Sequence, residues 1–205
     1  MRAFRAGDLL MKAITTLLDE HRSLAAVLHG MRYVLHEIES GRMRPDFRLL
    51  GAMVYYIDTF PERFHHPRED AHLFSRLRVR APAATPLVER LEAEHVESRE
   101  KMRDLAQALE RYASGGEREF AAFRDAFDAY AGFQWKHMRA EEEELLPLAR
   151  AHLDADDWKA VAAGLQEATD PLAGARAGDY DALFRRIVTL APPPIGVGPD
   201  RSTKR

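Results

Sequence analysis

The 205-residue sequence contains no cysteine. That absence excludes disulfides, a thiolate nucleophile and any thiolate-held zinc or iron–sulfur site, so a bound metal has only imidazoles and carboxylates to sit on. Long apolar runs are missing too. No stretch approaches the roughly 20 residues needed to span a bilayer. The N-terminal MRAFRAGDLLMKAI has neither a long apolar core nor a small-residue cleavage site, so a cytoplasmic protein with no membrane partner is expected. Positive charge is not in excess: 30 Lys and Arg face 33 Asp and Glu, the net charge is −3, and there is no basic stripe. Nucleic acid is therefore not expected as a partner. Apolar–polar alternation, the mark of a strand, is nearly absent.

What is present is helical spacing. Leu10, Ile14, Leu17, Leu18, Leu24, Val27, Leu28, Met31, Val34, Leu35 and Ile38 recur at threes and fours and trace a first helix that stops near Ser40-Gly41. A second runs from about Asp46 to about Leu77, with Pro61 and Pro67 inside it, where each must disturb the backbone. After APAATP a third covers roughly 86–112 and ends at Ser114-Gly115-Gly116, and a fourth covers about 117–148. Weaker helical patterns follow at about 154–168 and 179–190. The closing APPPIGVGPDRSTKR reads as a disordered tail. Four helices of roughly 30 residues with short connections predict an all-α fold: an antiparallel up-down-up-down four-helix bundle with short extra C-terminal helices. One domain is expected over 11–190, its core at about 14–150, followed by a tail over 191–205.

The chemistry is concentrated in FHHPREDAHLF, residues 64–74, and the chain holds a second version of it. A shift of 72 lays His65 on His137, Glu69 on Glu141, Asp70 on Glu142 and Leu73 on Leu145, while a shift of 74 lays Glu20-His21 on Glu94-His95. Residues i and i+4 share one helical face, so His65 with Glu69, and His137 with Glu141, can each reach a single point. In an antiparallel bundle the two points meet in the core. Four imidazoles and two carboxylates gathered there are too polar to bury without a cation, and they suit two iron or manganese ions.

Other metal-capable groups have blander readings. His66 and Asp70 form a second i, i+4 pair about 100° around the helix from His65. Because His66 falls on Met138 in the repeat, it is expected on the surface or behind the ligands. His29, His36 and His152 have no counterparts and are expected to be exposed; His72 sits two turns beyond His65, too far for the same metal. In the acidic run 141–144 only Glu141 has both spacing and partner, with Glu142 as a substitute. Tyr55, Tyr56, Phe60, Phe133 and Trp135 read as bundle core.

The pieces Asp19-Glu20-His21, His65-His66-Pro67-Arg68-Glu69-Asp70, Glu94-His95 and His137-Met138-Arg139-Ala140-Glu141-Glu142 with Leu145-Leu146-Pro147 resemble the HHE-type cation-binding domains of the hemerythrin family. The resemblance spans about 14–150 and implies a four-helix bundle around a non-haem di-iron centre. Family roles then fall on His21, His65, Glu69, His95, His137 and Glu141, with the two glutamates as bridges. Two iron ions are the implied cofactor, with manganese or zinc as alternatives. A small diatomic ligand or peroxide is the implied partner, and a monomer or homodimer the implied state. The function that follows is binding or responding to dioxygen, peroxide or nitric oxide; iron storage or homeostasis, or a peroxide-consuming or ferroxidase activity, are the alternatives. One position departs from the family. Oxygen carriers place a second His one turn after the third-helix His, and here that position is Arg99. The chain therefore reads as one imidazole short, with more open metal positions or a substitute ligand such as Glu92, which has the Glu-x-x-His spacing with His95.

Overall fold

A computed structural model describes residues 6–166 and 177–198. The chain is all-helical and forms a bundle of six helices among the described residues. Helix α1 is Ala6–Glu39. Helix α2 runs over residues 47–80 as one rod in which π-helical turns at Pro61–His65 and Glu69–Phe74 interrupt the α geometry. Helix α3 is Thr85–Gly115. Helix α4 covers residues 120–152 with a π turn at Glu141–Leu145. Two shorter helices follow, α5 at Ala155–Gly164 and α6 at Ala177–Leu190.

Local chemistry fixes the ends. The Asp46 carboxylate accepts from the backbone N–H of Arg48 at 3.0 Å and of Leu49 at 3.4 Å, which caps the free donors that open α2. Asp154 and Asp157 form a reciprocal capping box at the start of α5. Gly41 and Gly116 follow α1 and α3 with φ of 70° and 74°, the left-handed region in which a side chain would be strained. Pro61 and Pro67 do not end α2: each removes a backbone donor, and the rod continues through i→i+5 hydrogen bonds instead.

Side-chain contacts join the long helices in sequence order. His21 meets His65, His66 meets His95, His95 meets His137, and His29 meets Trp135 while Glu39 meets Arg124. Each long helix thus packs on the next, and the fourth returns to the first. Helix α5 lies against α1, and α6 lies against α2, where Ile187 is buried and Phe184 approaches Tyr56.

The apolar core is divided in two. One cluster gathers Leu28, Met31, Met53, Ile57, Leu105 and Phe127 from all four long helices. The other gathers Leu17, Phe74, Leu77, Val88, Leu145 and, from α5, Trp158. Each fully buried side chain of this size stabilises the fold by about 1.5–3 kcal/mol. A buried polar layer separates the clusters, and His21, His65, Glu69, His95, His137 and Glu141 lie in it.

Some expectations shift. Helix α1 begins at Ala6 rather than near Leu10. Tyr55 was read as core but is 59% exposed, whereas Tyr56 and Phe60 are buried. Residues 191–198, within the stretch read as a disordered tail, fold back on α6: Val197 N–H donates to the Val188 carbonyl at 2.9 Å, and Ala191 is buried. Residues 167–168, where the fifth helical pattern was expected to end, and 199–205 of that tail lie outside the described residues.

Candidate metal centre

All six residues expected to hold metal are buried in the polar layer. Helices α1 and α2 supply His21, His65 and Glu69; α3 and α4 supply His95, His137 and Glu141. The imidazole Nε2 atoms turn inward in pairs, His21 to His65 at 3.1 Å and His95 to His137 at 3.0 Å. The glutamates lie between the pairs. Glu69 Oε2 is 3.4 Å from His65 Nε2 and 3.8 Å from His95 Nε2. Glu141 reaches His137 at 3.2 Å and His95 at 3.7 Å through one oxygen, and His21 at 3.2 Å through the other.

The outward nitrogens follow a rule that the sequence reading did not extract. His65 Nδ1 lies 2.6 Å from Glu20 Oε2, and His95 Nδ1 lies 2.8 Å from Asp70 Oδ1. His137 Nδ1 and His21 Nδ1 lie 2.8 Å from Glu94 Oε2 and Glu142 Oε1. Each long helix therefore lends a carboxylate to the histidine of the next. The signal was in the repeat: Glu20 and Glu94 are shift partners, as are Asp70 and Glu142. A carboxylate behind each imidazole fixes the ring and its tautomer and raises its basicity as a metal ligand.

Charge inside the layer is set by imidazoles and carboxylates held close together in a buried setting. Burial opposes protonation of His21, but the negative Glu141 beside it and the hydrogen bond to Glu142 outweigh it and raise the ring to about 10. His137 is raised to about 10 against its burial by Glu141 and Glu94, and His95 to about 9 by Asp70 and Glu141. Burial, reinforced by the negative Glu141, lifts Glu69 to about 7. Glu141 itself is held well below the usual carboxylate range, because the contacts with His137, His21 and His95 outweigh its desolvation. Protonated imidazoles thus do the work that a cation does better. Even so, Glu69 Oε2 and both Glu141 oxygens remain buried without a hydrogen-bond partner. Orphaned carboxylate oxygens between inward-facing imidazoles fit a multivalent metal, which accepts their lone pairs without needing a proton.

The profile of the hemerythrin HHE cation binding domain matches residues 12–149. The chain belongs to the hemerythrin family. Comparison with characterised proteins and with solved structures returned no match.

For a hemerythrin-family chain, the third and second helices depart from what sequence spacing gave. Arg99, at the position where an oxygen carrier has its extra imidazole, is exposed; the inward residue is Ser98. The apolar stripe Val88, Leu91, Met102 and Leu105 places 95 and 98 on the core face, and 99 turns away from it. Glu92 is likewise outside the layer, bonded to Arg78 at 2.6 Å. His66, expected on the surface or behind the ligands, is 1% exposed and stacks on His95 with ring centroids 4.1 Å apart. In a bundle each helix faces two neighbours, so two adjacent residues about 100° apart can both point inward. His65 takes the α1 side and His66 the α3 side. The metal-capable groups accordingly form two sets, His21 with His65, Glu69 and Glu141, and His66 with His95 and His137. His29, His36 and His152 are exposed as expected. A cleft of about 360 Å³ between α1 and α4 leads to His21, lined also by His29, Trp135, Met138 and Glu142.

Proposed function

We propose that this hemerythrin-family chain is a non-haem di-iron protein that binds or responds to dioxygen, peroxide or nitric oxide. In this reading His21, His65, Glu69, His95, His137 and Glu141 hold two iron ions, and the four long helices run up-down-up-down, which brings the two His-x-x-x-Glu turns face to face. The observation that carries it is the pairing of each inward Nε2 with an outward Nδ1 tied to a carboxylate, around glutamate oxygens that have no other partner. Such a layer costs several kcal/mol to bury empty, and a metal offsets that cost directly.

Bound iron supplies exchangeable coordination positions and one-electron chemistry. The chain's own residues do the rest. Glu20, Asp70, Glu94 and Glu142 keep a proton on each Nδ1 and aim each Nε2 inward. Glu69 and Glu141 face both imidazole pairs, the arrangement expected of bridging carboxylates. The apolar clusters above and below exclude bulk water. The cleft over His21 suits a diatomic ligand or peroxide as partner. No helix among the described residues is long and apolar enough to cross a membrane.

Metal analysis together with the absorption spectrum tests the reading. The purified chain should carry about two iron ions, and its oxidised form should absorb in the near ultraviolet, where zinc is silent. A chain that takes up no iron, or whose iron survives replacement of both His65 and His137 by Ala, refutes it.

A further inference from the structure

The polar layer holds one histidine more than the repeat accounts for, and it sits on one side only. We infer that His66 is a fifth imidazole ligand, serving the metal position next to His95 and His137, and that Glu62 is the carboxylate that orients it. The inference rests on the metal-binding reading above and adds an asymmetry to it.

Three observations converge. His66, His95 and His137 each bring a ring nitrogen within 4.8 Å of the others, and all three are buried. His66 Nδ1 faces Glu62 Oε2 at 3.5 Å, and both atoms are buried without a hydrogen-bond partner. Each of the other four imidazoles has a carboxylate at its Nδ1 within 2.8 Å, so His66 with Glu62 is a fifth pair of the same kind, slightly open. Closing a gap of that size satisfies two orphaned groups at once and turns the ring's second nitrogen away from Glu62. Glu62 is built in for this. Its other oxygen accepts from Ser98, from Tyr130 at 3.2 Å and from Gln134 at 3.4 Å, which fixes the carboxyl from α3 and α4.

The repeat shows that this pair is specific to one half. Under the shift of 72, His66 falls on Met138 and Glu62 on Gln134, so the other half has neither the ring nor its carboxylate. The position beside His95 and His137 then has three imidazoles, and the position beside His21 and His65 has two. The two metal positions are inequivalent, one tight and one labile.

The test is a titration of metal-stripped full-length chain with Zn²⁺ followed by calorimetry, alongside X-ray absorption of the chain loaded with a single Zn²⁺. Wild type should show two affinities at least about tenfold apart, and the single bound ion should have three imidazoles around it. His66→Met copies the residue that its repeat position already carries at Met138, so the fold is expected to stand. It should weaken the tight step about ten- to a hundredfold and bring the two affinities together. Glu62→Gln should weaken it less. Two imidazoles on the single ion, or an unchanged two-step profile in folded His66→Met, overturns the inference while leaving the di-metal reading intact. Absence of any Zn²⁺ or iron uptake in wild type sinks the di-metal reading itself, and this inference with it.

Discussion

The two halves of the metal layer share one sequence plan and differ in what surrounds it. In both, a glutamate–histidine pair on one helix faces a His-x-x-x-Glu turn on the next. Around His65 the support is buried. Arg68, only 1% exposed, bonds Glu20 at 2.5 Å and the Phe64 carbonyl at 2.9 Å, and it also donates to the Leu165 carbonyl at the end of α5. Around His137 the corresponding support is at the surface, where a half-exposed Arg90 reaches Glu94 at 3.1 Å. The repeat partner of Arg68 is Ala140. One metal position is thus backed by a buried cation and the C-terminal α5, whereas the other is faced by His66 and Glu62, both supplied by α2. The repeated frame gives both positions their donors; three residues of α2 without repeat counterparts, Glu62, His66 and Arg68, make their surroundings differ.

The strongest way to break the comparison is to remove a residue that both halves use. Glu141 touches His21, His95 and His137, whereas His65 belongs to one pair. Glu141→Ala is expected to strip nearly all metal, and His65→Ala about half, by elemental analysis of the folded variants. Equal losses would mean that Glu141 does not join the two positions.

A second contrast concerns stability. Arg68→Met leaves Glu20 and the Leu165 carbonyl without their cation in a buried setting, and urea unfolding should show a loss of roughly 3–5 kcal/mol. Arg90→Met removes an exposed partner of Glu94 and should cost less than about 1 kcal/mol. Similar losses in both would place the support of the two halves on an equal footing.

The smallest effect is in pH dependence. In metal-free protein, His21, His95 and His137 titrate near 10, 9 and 10 instead of 6.5. The folded chain therefore binds more protons than the unfolded chain across that window. Their stabilisation is complete below 6.5 and is lost as pH rises through about 9 to 10. Glu69, raised to about 7, acts in the same direction. Urea midpoints of metal-free protein should fall between pH 7 and pH 10, while metal-loaded protein, whose rings carry metal instead of protons, should stay flat over that range. A metal-free protein as flat as the loaded one would remove the proposed role of these protons.

The sequence alone determined the helices and the shared frame, because apolar spacing at threes and fours is a local property and the repeat doubles the weight of each His and Glu. Within α4, the exposure of Glu142, Glu143 and Glu144 beside the buried Glu141 follows that arithmetic. Counting along one helix could not say which neighbour each face would meet. His66 is inward because α3 packs where a lone helix would have solvent, and Arg99 is outward because the core stripe of α3 passes through Ser98. The outer carboxylates pair across helices with partners 25 to 121 residues away, as in Asp70 with His95 and Glu142 with His21. The burial of Arg68 depends on a carbonyl from α5, 97 residues on. Such pairings exist only once four helices have fixed their mutual rotation, so only the tertiary structure decided how the two halves differ.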